Sequence, residues 1–486
     1  MYLLITVLLS GCNRDNTSRT YNVMEFGASG NGETIDTRSV NEAIEACSKA
    51  GGGTVVFPSG KTFLCGTINL KSSITYVIEK DAVILAAPAG TMAYEVPEEN
   101  PWNEYQDFGH TYYRNSLFYG DSIADIKFTG EGKIAGKNMS RSQVPPGDGN
   151  KTFAIKRSRN LTFENISIDQ GGWFAFLLNG CNGIIIDNVK IQTPRDGIDL
   201  MSCSNVLIKN CEIRALRYDE NGVLAGGDDA IGIKSDFALG RKIDSENIII
   251  ENCLLSSSCN GVQFGSETVG NFRNILVKDC VIEHADKAGL GITSNDGAII
   301  EDVTYRNIQM TKTANPVFML ISGRGRSPEK PAPGKIRNIT FENITATDCY
   351  GYIKDRVFTS TLSGLPGFTI DDVTFKNVSI TYKGGGTWAD SEIDPPYTDE
   401  YSPRSLGKRP ASAFYIRNAR NITFDNFTVS FEKPDYRPSF VLDNVTGCSI
   451  INCNITRYPG VMADIISKSS SGLVITPRDS FTILNK

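Results

Sequence analysis

One short alternation of apolar and polar positions returns many times along the chain. It reads Asn or Asp, an aliphatic residue, any residue, an aliphatic or aromatic residue, any residue, Asn or Asp, then an apolar residue. Copies are NLTFENISI from residue 160, NGIIIDNVKI from 182, NVLIKNCEI from 205, NIIIENCLL from 247 and NILVKDCVI from 274, and then DVTYRNIQM from 302, NITFENITA from 338, DVTFKNVSI from 372 and NITFDNFTV from 421. Starts are commonly 22 to 28 residues apart, with longer gaps after 205, 302, 338 and 372. A period of two interrupted by Asn and Gly means short strands between tight turns, and a regular spacing means that each turn stacks on the one before. The pattern predicts an all-β chain folded as a single-domain right-handed parallel β-helix. Its length of 486 residues does not require several domains, because a solenoid grows by adding turns to one continuous core.

The same register explains the cysteines and asparagines. Cys211, Cys253, Cys280 and Cys453 take the apolar slot after the second Asn or Asp, so they should stack inward as small hydrophobes and remain thiols. Asn160, Asn338, Asn343 and Asn421 begin Asn-X-Thr or Asn-X-Ser triplets but fall at turns, where Asn tolerates left-handed backbone. Residues 36 to 50 form the one clear helix, with Asp36 as its expected N-cap and Val40, Ile44 and Cys47 on one face. Such a short N-terminal helix caps the open end of a solenoid. Long loops at 91 to 118, 324 to 336 and 384 to 410 are expected to wall a groove.

Composition narrows the partners. Apolar residues make 40% and charged residues 21% of the chain, which excludes disorder. The net charge of −6, with no Lys/Arg run, argues against a nucleic-acid partner. Residues 1 to 12 are too short to span a bilayer and end in Leu9-Ser10-Gly11-Cys12, which resembles a bacterial lipobox; no Lys or Arg precedes the run. The expected organisation is a signal peptide over 1–12 with Cys12 lipidated, a tether over 13–21, and a catalytic β-helix over 22–486. That implies a monomer at the cell envelope, periplasmic, surface-exposed or secreted, touching membrane only through its lipid.

Three acidic places stand out: Asp196 and Asp199 in PRDGID, Asp228 and Asp229 in GGDDA, and Glu267 in FGSE. Parallel stacking brings equivalent positions of neighbouring coils about 4.8 Å apart. Clustered carboxylates split their protonation, one raised by repulsion and burial while another stays ionised. That is what glycosidic hydrolysis asks for, and separations of roughly 6.5–9.5 Å go with inversion. A lone turn aspartate more often caps backbone amides, but two adjacent ones after Gly-Gly repel each other for no structural gain.

With FGASGNGETIDT at 26 to 37, TGEGKIAG at 129 to 136, RDGID at 195 to 199, GDDAIGIKS at 227 to 235 and FGSE at 264 to 267, the chain resembles the polygalacturonase family, glycoside hydrolase family 28, over nearly its whole length after the signal. The resemblance implies a pectin-cleaving, inverting hydrolase; no cofactor or metal is expected. Asp228 would be the general acid, with Asp196 and Asp229 holding and activating water.

Departures accompany it. Cys259-Asn260-Gly261 stands where the family has Gly-His-Gly, Gly291-Ile292-Thr293 where it has Arg-Ile-Lys, and Pro194-Arg195 where it has Asn-Thr. His110 and His284 match neither place. Losing both cations that grip a galacturonate carboxylate costs several kcal/mol of binding, which predicts a substrate other than plain polygalacturonate, as in rhamnogalacturonan-cleaving relatives. Arg195, or Arg217 in the extra stretch RALRYDENGVLA at 214 to 225, either restores the charge or lies in a surface ion pair. Trp173 is either a sugar platform or a core aromatic. Lys234, Asn260, Gln263 and Glu267 complete the candidate substrate-binding residues. Two rival readings remain: a polysaccharide lyase with Lys234 as base, and a non-catalytic glycan-binding lipoprotein.

Overall fold

The computed structural model describes residues 19–106, 109–350, 359–477 and 481–486. The apolar run 1–12, Cys12 and the tether up to residue 18 lie outside the described residues. The first strand, Thr20–Asn22, begins two residues inside the segment expected as tether.

The repeat builds a right-handed parallel β-helix, as expected. Its first aliphatic position forms one column through the molecule: Leu161 pairs with Ile184, Ile184 with Val206, Val206 with Ile248, and Ile248 with Ile275. Ile275 continues it to Val303, Val303 to Ile339, Ile339 to Val373, Val373 to Ile422, and Ile422 to Cys448. Every member is buried. Aromatic residues stack in the same way, Phe118 on Phe153 and Phe153 on Phe176, with centroids 4.7 and 4.8 Å apart. The turn asparagines adopt left-handed backbone, with φ of 54° at Asn160 and 55° at Asn338, Asn343 and Asn421. Their amides form ladders: Asn247 donates to Asn205 (3.1 Å) and Asn274 to Asn247 (2.6 Å). The polar turn positions thus satisfy one another from coil to coil.

The helix Thr37–Lys49 buries Val40, Ala43, Ile44 and Cys47 against the first coils. Asp36 precedes it, but its carboxylate does not cap the helix; it accepts the backbone N–H groups of Ser29 (2.7 Å) and Gly30 (3.0 Å) instead. The preceding turn takes the acceptor that a helix N-terminus would otherwise use. All eleven cysteines among the described residues are free thiols. Cys211, Cys253 and Cys280 are buried and aim their thiols at carbonyls of their own turns, whereas Cys453, expected inside, is only half-buried near the last coils.

The three long loops converge on one face. The first is fixed by Asn100, which donates to the Ala238 carbonyl (2.9 Å), and the second by Arg324, which donates to the Ser266 carbonyl (2.7 Å). The third is held by the buried Arg417, whose guanidinium donates to the carbonyls of Pro395 (2.6 Å) and Pro396 (2.8 Å).

Candidate active site

The strands Phe174–Asn179, Asp196–Met201, Ile231–Ser235, Asn260–Thr268 and Ala288–Ser294 lie side by side in successive coils. Phe174 pairs with Asp196, Ile198 with Ile231, Ile231 with Val262, and Asn260 with Ala288. Carried back to the strand starts, this register puts Asp196, Asp229 and Asn260 in one column. Arg195, Asp228, Cys259 and Lys287 form the column beside it.

The insertion before the paired aspartates folds as an antiparallel hairpin, Glu212–Tyr218 with Leu224–Gly227. The chain must then turn sharply back into its coil. Gly226 and Gly227 do this with φ of 125° and 144°, and a Cβ on Gly227 would lie 2.1 Å from the Ala215 carbonyl oxygen. The two glycines are therefore required by the return of the hairpin, and they set Asp228 and Asp229 at the coil edge.

A cavity of about 90 Å³ is lined by Asp196, Asp228, Asp229, Arg195, Lys234 and Lys287, with His110 and Tyr401 supplied by the first and third loops. Asp196 and Asp229 are almost fully buried, while the Asp228 side chain keeps 21% of its exposure. Arg195 donates to Asp228 at 2.6 Å. Asn260 holds Asp229 by two donors on one oxygen, its backbone N–H (2.9 Å) and its side-chain amide (2.7 Å). Lys234 meets Asp199 at 2.7 Å and Asp196 at 4.0 Å.

Protonation splits as expected, though in an unexpected order. Burial, then Asp228 and Asp199, push Asp196 well above the usual carboxylate range. Burial and the Asp228 charge push Asp229 up to about 6. Burial acts on Asp228 too, but Lys287 and Arg195 outweigh it and hold that carboxyl below its ordinary value. With Lys287 and Arg195 beside it Asp228 is thus the ionised member, although the resemblance casts it as the acid. Oxygens of Asp228 and Asp229 and the Cys259 sulfur lie within 4.8 Å of one another. That is closer than the separation expected for an inverting pair, so this spacing does not itself argue for inversion. It is also the one such ligand grouping among the described residues, but Lys287 and Arg195 already supply the positive charge there.

Several candidate binding residues are placed differently from expectation. Trp173 is 3% exposed, stacks on Phe174 and carries the Arg195 guanidinium 5.2 Å above its ring, so it supports Arg195 and offers no face to a sugar. Gln263 is buried and donates to the Phe264 carbonyl and the Thr293 hydroxyl, away from the cavity. Asn260 is spent on Asp229. Glu267 is fully buried behind His110. Arg217 stays on the hairpin, donating to the Ala225 carbonyl, and does not line the cavity. Arg195 is in an ion pair, but with a cavity aspartate and not at the surface.

His110, which matched no motif, enters from the first loop. Its Nε2 lies 3.3 Å from Asp199 and its Nδ1 3.1 Å from Glu267, the second contact being an ion pair without hydrogen-bond alignment. Burial opposes its charge, but Glu267 and Asp199 raise it to about 10. His284 lies within the strand Val281–Ala285 beside Asp286, away from the cavity. Lys287 was legible in principle, lying 28 residues after Cys259 at the next repeat. His110 and Tyr401 were not, since they arrive on loops without periodicity.

The family model "Glycosyl hydrolases family 28" matches residues 47–398. An endo-polygalacturonase of Pectobacterium carotovorum subsp. carotovorum is 26% identical over 381 residues, 72% of this chain and 85% of the relative. A probable polygalacturonase of Vitis vinifera is 23% identical over 386 residues, 74% and 73% of the two chains. Among solved structures, the exopolygalacturonase of Thermotoga maritima superposes with a TM-score of 0.63 at 20% identity, covering 85% of this chain and 92% of the other. The family 28 exopolygalacturonase of Yersinia enterocolitica gives 0.64 at 15% identity, covering 91% and 79%. The coiled fold, the three aspartates on its edge and a family match across most of the chain lead to one conclusion: this protein belongs to glycosyl hydrolase family 28.

Proposed function

We propose that the protein hydrolyses a glycosidic bond in a pectic or related acidic polysaccharide, or in its oligosaccharides, of galacturonan or rhamnogalacturonan type, with inversion. The observation that carries this is the convergence of three carboxylates with divergent protonation in one small cavity. Asp228 is the most exposed of the three, so a glycosidic oxygen can reach it, and it serves as general acid. Asp196 and Asp229 lie deeper and hold the attacking water. With one Asp229 oxygen fixed by Asn260, its other oxygen is left to accept the water proton. The water oxygen bonds to the anomeric carbon, its proton passes to Asp229, and Asp228 protonates the departing oxygen.

For this Asp228 must first hold a proton, which the Arg195 ion pair opposes. An acidic sugar whose carboxylate engages Arg195 weakens that pair and raises the Asp228 pKa on binding. A lyase reading would need Lys234 as a neutral base. Burial disfavours its charge, but Asp199, Asp196 and Glu267 hold it protonated. No helix among the described residues is long and apolar enough to cross a membrane. In this reading the N-terminal lipid on Cys12 supplies the only contact with the cell envelope.

The test is a screen of purified protein against pectic polysaccharides and their oligosaccharides, with released sugars read by chromatography. Release by the wild type and its loss by about 10²-fold or more in Asp196→Asn, Asp228→Asn and Asp229→Asn variants is expected. Full activity in Asp228→Asn would sink the assignment, and binding without release in the wild type would point to a non-catalytic glycan-binding protein.

A further inference from the structure

Lys287 depresses the Asp228 carboxyl and lines the cavity, yet the reading above gives it no contact with substrate. It stands in the Arg195–Asp228–Cys259–Lys287 column, two coils beyond Asp228, while Arg195 stands one coil before. Its backbone N–H is fixed by the Cys259 carbonyl at 2.8 Å. Among the described residues no carboxylate comes within ion-pair distance of its ammonium. The ammonium faces the Cys259 thiol, which burial keeps protonated, and the Tyr401 ring, whose centroid is 5.5 Å away. A largely desolvated ammonium flanked by a thiol and an aromatic face, with Asp228 and Asp229 acting on it only from beyond ion-pair distance, has no directly paired anion.

The two positions where the family carries cations cannot fill that need. A Cβ at Gly291 would lie 2.0 Å from the Gln263 side-chain oxygen, and the Thr293 hydroxyl donates to the Phe264 carbonyl at 2.9 Å. Both are closed over by neighbouring side chains.

Resting on the hydrolase reading, we infer that Lys287, backed by Tyr401, anchors the carboxylate of a uronate unit bound beside the scissile bond, on the opposite side of Asp228 from Arg195. The cationic grip missing from positions 291 and 293 is thereby supplied one column over. The third loop, which brings Tyr401 into place, is pinned at depth by Arg417 and by Arg409, whose guanidinium donates to the Pro403 carbonyl at 2.7 Å. An acidic sugar is preferred because its carboxylate can pair directly with an ammonium that Asp228 and Asp229 reach only from beyond ion-pair distance. A polysaccharide lying along the solenoid axis would meet Arg195, the three aspartates and Lys287 in turn.

The experiment compares wild type, Lys287→Met and Lys287→Arg on oligogalacturonate and rhamnogalacturonan oligosaccharides with free carboxylates and on their methyl esters. On the free acids, Lys287→Met is expected to raise KM by roughly 30-fold or more, with Lys287→Arg recovering much of the loss. On the esters, KM should agree within about threefold between wild type and Lys287→Met, any change falling on kcat and its pH profile because Lys287 also depresses the Asp228 carboxyl. An unchanged KM on the free acids, or an equal loss on acids and esters, overturns the inference; the second outcome would mean that Lys287 acts on Asp228 alone. Should the wild type cleave none of these, the hydrolase reading fails, and titration calorimetry with the free acids decides this one separately. Binding weakened by a similar factor in Lys287→Met supports the anchor, and equal binding removes it. If Lys287→Met does not fold, Lys287→Gln is measured in its place.

Discussion

Arg195 and Asp228, one coil apart, are joined at 2.6 Å on the wall of the cavity that also holds Asp196 and Asp229. The pair has consequences for pH. Lys287 and Arg195 together overcome burial and hold the Asp228 carboxyl below its ordinary value. Removing Arg195 leaves burial less opposed, so the Asp228 pKa rises. In Arg195→Met, the alkaline limb of kcat/KM on a methyl-esterified substrate should move upward by roughly one pH unit. A pH–rate profile of the two proteins checks this, and an unmoved limb would show that another group is the acid.

His110 links the first loop to the buried charges beneath the cleft. Against burial, Glu267 and Asp199 raise its pKa to about 10, above the roughly 6.5 of an unfolded histidine. A raised folded pKa stabilises fully below about 6.5, and the contribution is lost as pH rises through about 10. Its slope is about 1.4 kcal/mol per pH unit inside that window. His110→Gln should therefore melt well below wild type at pH 6, with the gap in Tm narrowing toward pH 10.5. A gap independent of pH would mean that the imidazole is held neutral.

Gly227 returns the hairpin to the coil immediately before the paired aspartates. With φ of 144° and a Cβ position 2.1 Å from the Ala215 carbonyl oxygen, alanine there forces the backbone to shift. Gly227→Ala should cost about 1–3 kcal/mol of stability. Activity should fall on the order of 10²-fold, because Asp228 and Asp229 move with it. Thermal melting and initial rates on one preparation separate the two effects.

Catalysis through carboxylates alone requires no divalent ion, and the oxygens of Asp228 and Asp229 already face Lys287 and Arg195. Treatment with a chelator should leave the rate unchanged, and the products should carry no new ultraviolet absorbance. Proton NMR of the first product should show the anomer opposite to the substrate linkage. Chelator-sensitive cleavage with an absorbing product would replace hydrolysis by elimination.

The order of coils, the inward column from Leu161 to Cys448 and the left-handed turns at Asn160 and Asn338 were all legible in the chain, because each follows from a local alternation repeated at a near-constant spacing. The paired aspartates were legible for a related reason: adjacency and a preceding Gly-Gly are local facts. Side-chain direction and loop path are not local, and here tertiary structure decided. Trp173 turned inward beneath Arg195, Gln263 turned toward Thr293, and Asp36 served Ser29 and Gly30 in preference to its helix. His110 and Tyr401 reached the cavity on loops whose course depends on contacts as distant as Asn100 with Ala238 and Arg417 with Pro395. By itself the sequence determined a solenoid with carboxylates along one edge. Which charges surround them, and so which aspartate keeps its proton, depended on residues that only stacking and loop packing bring within range of one another.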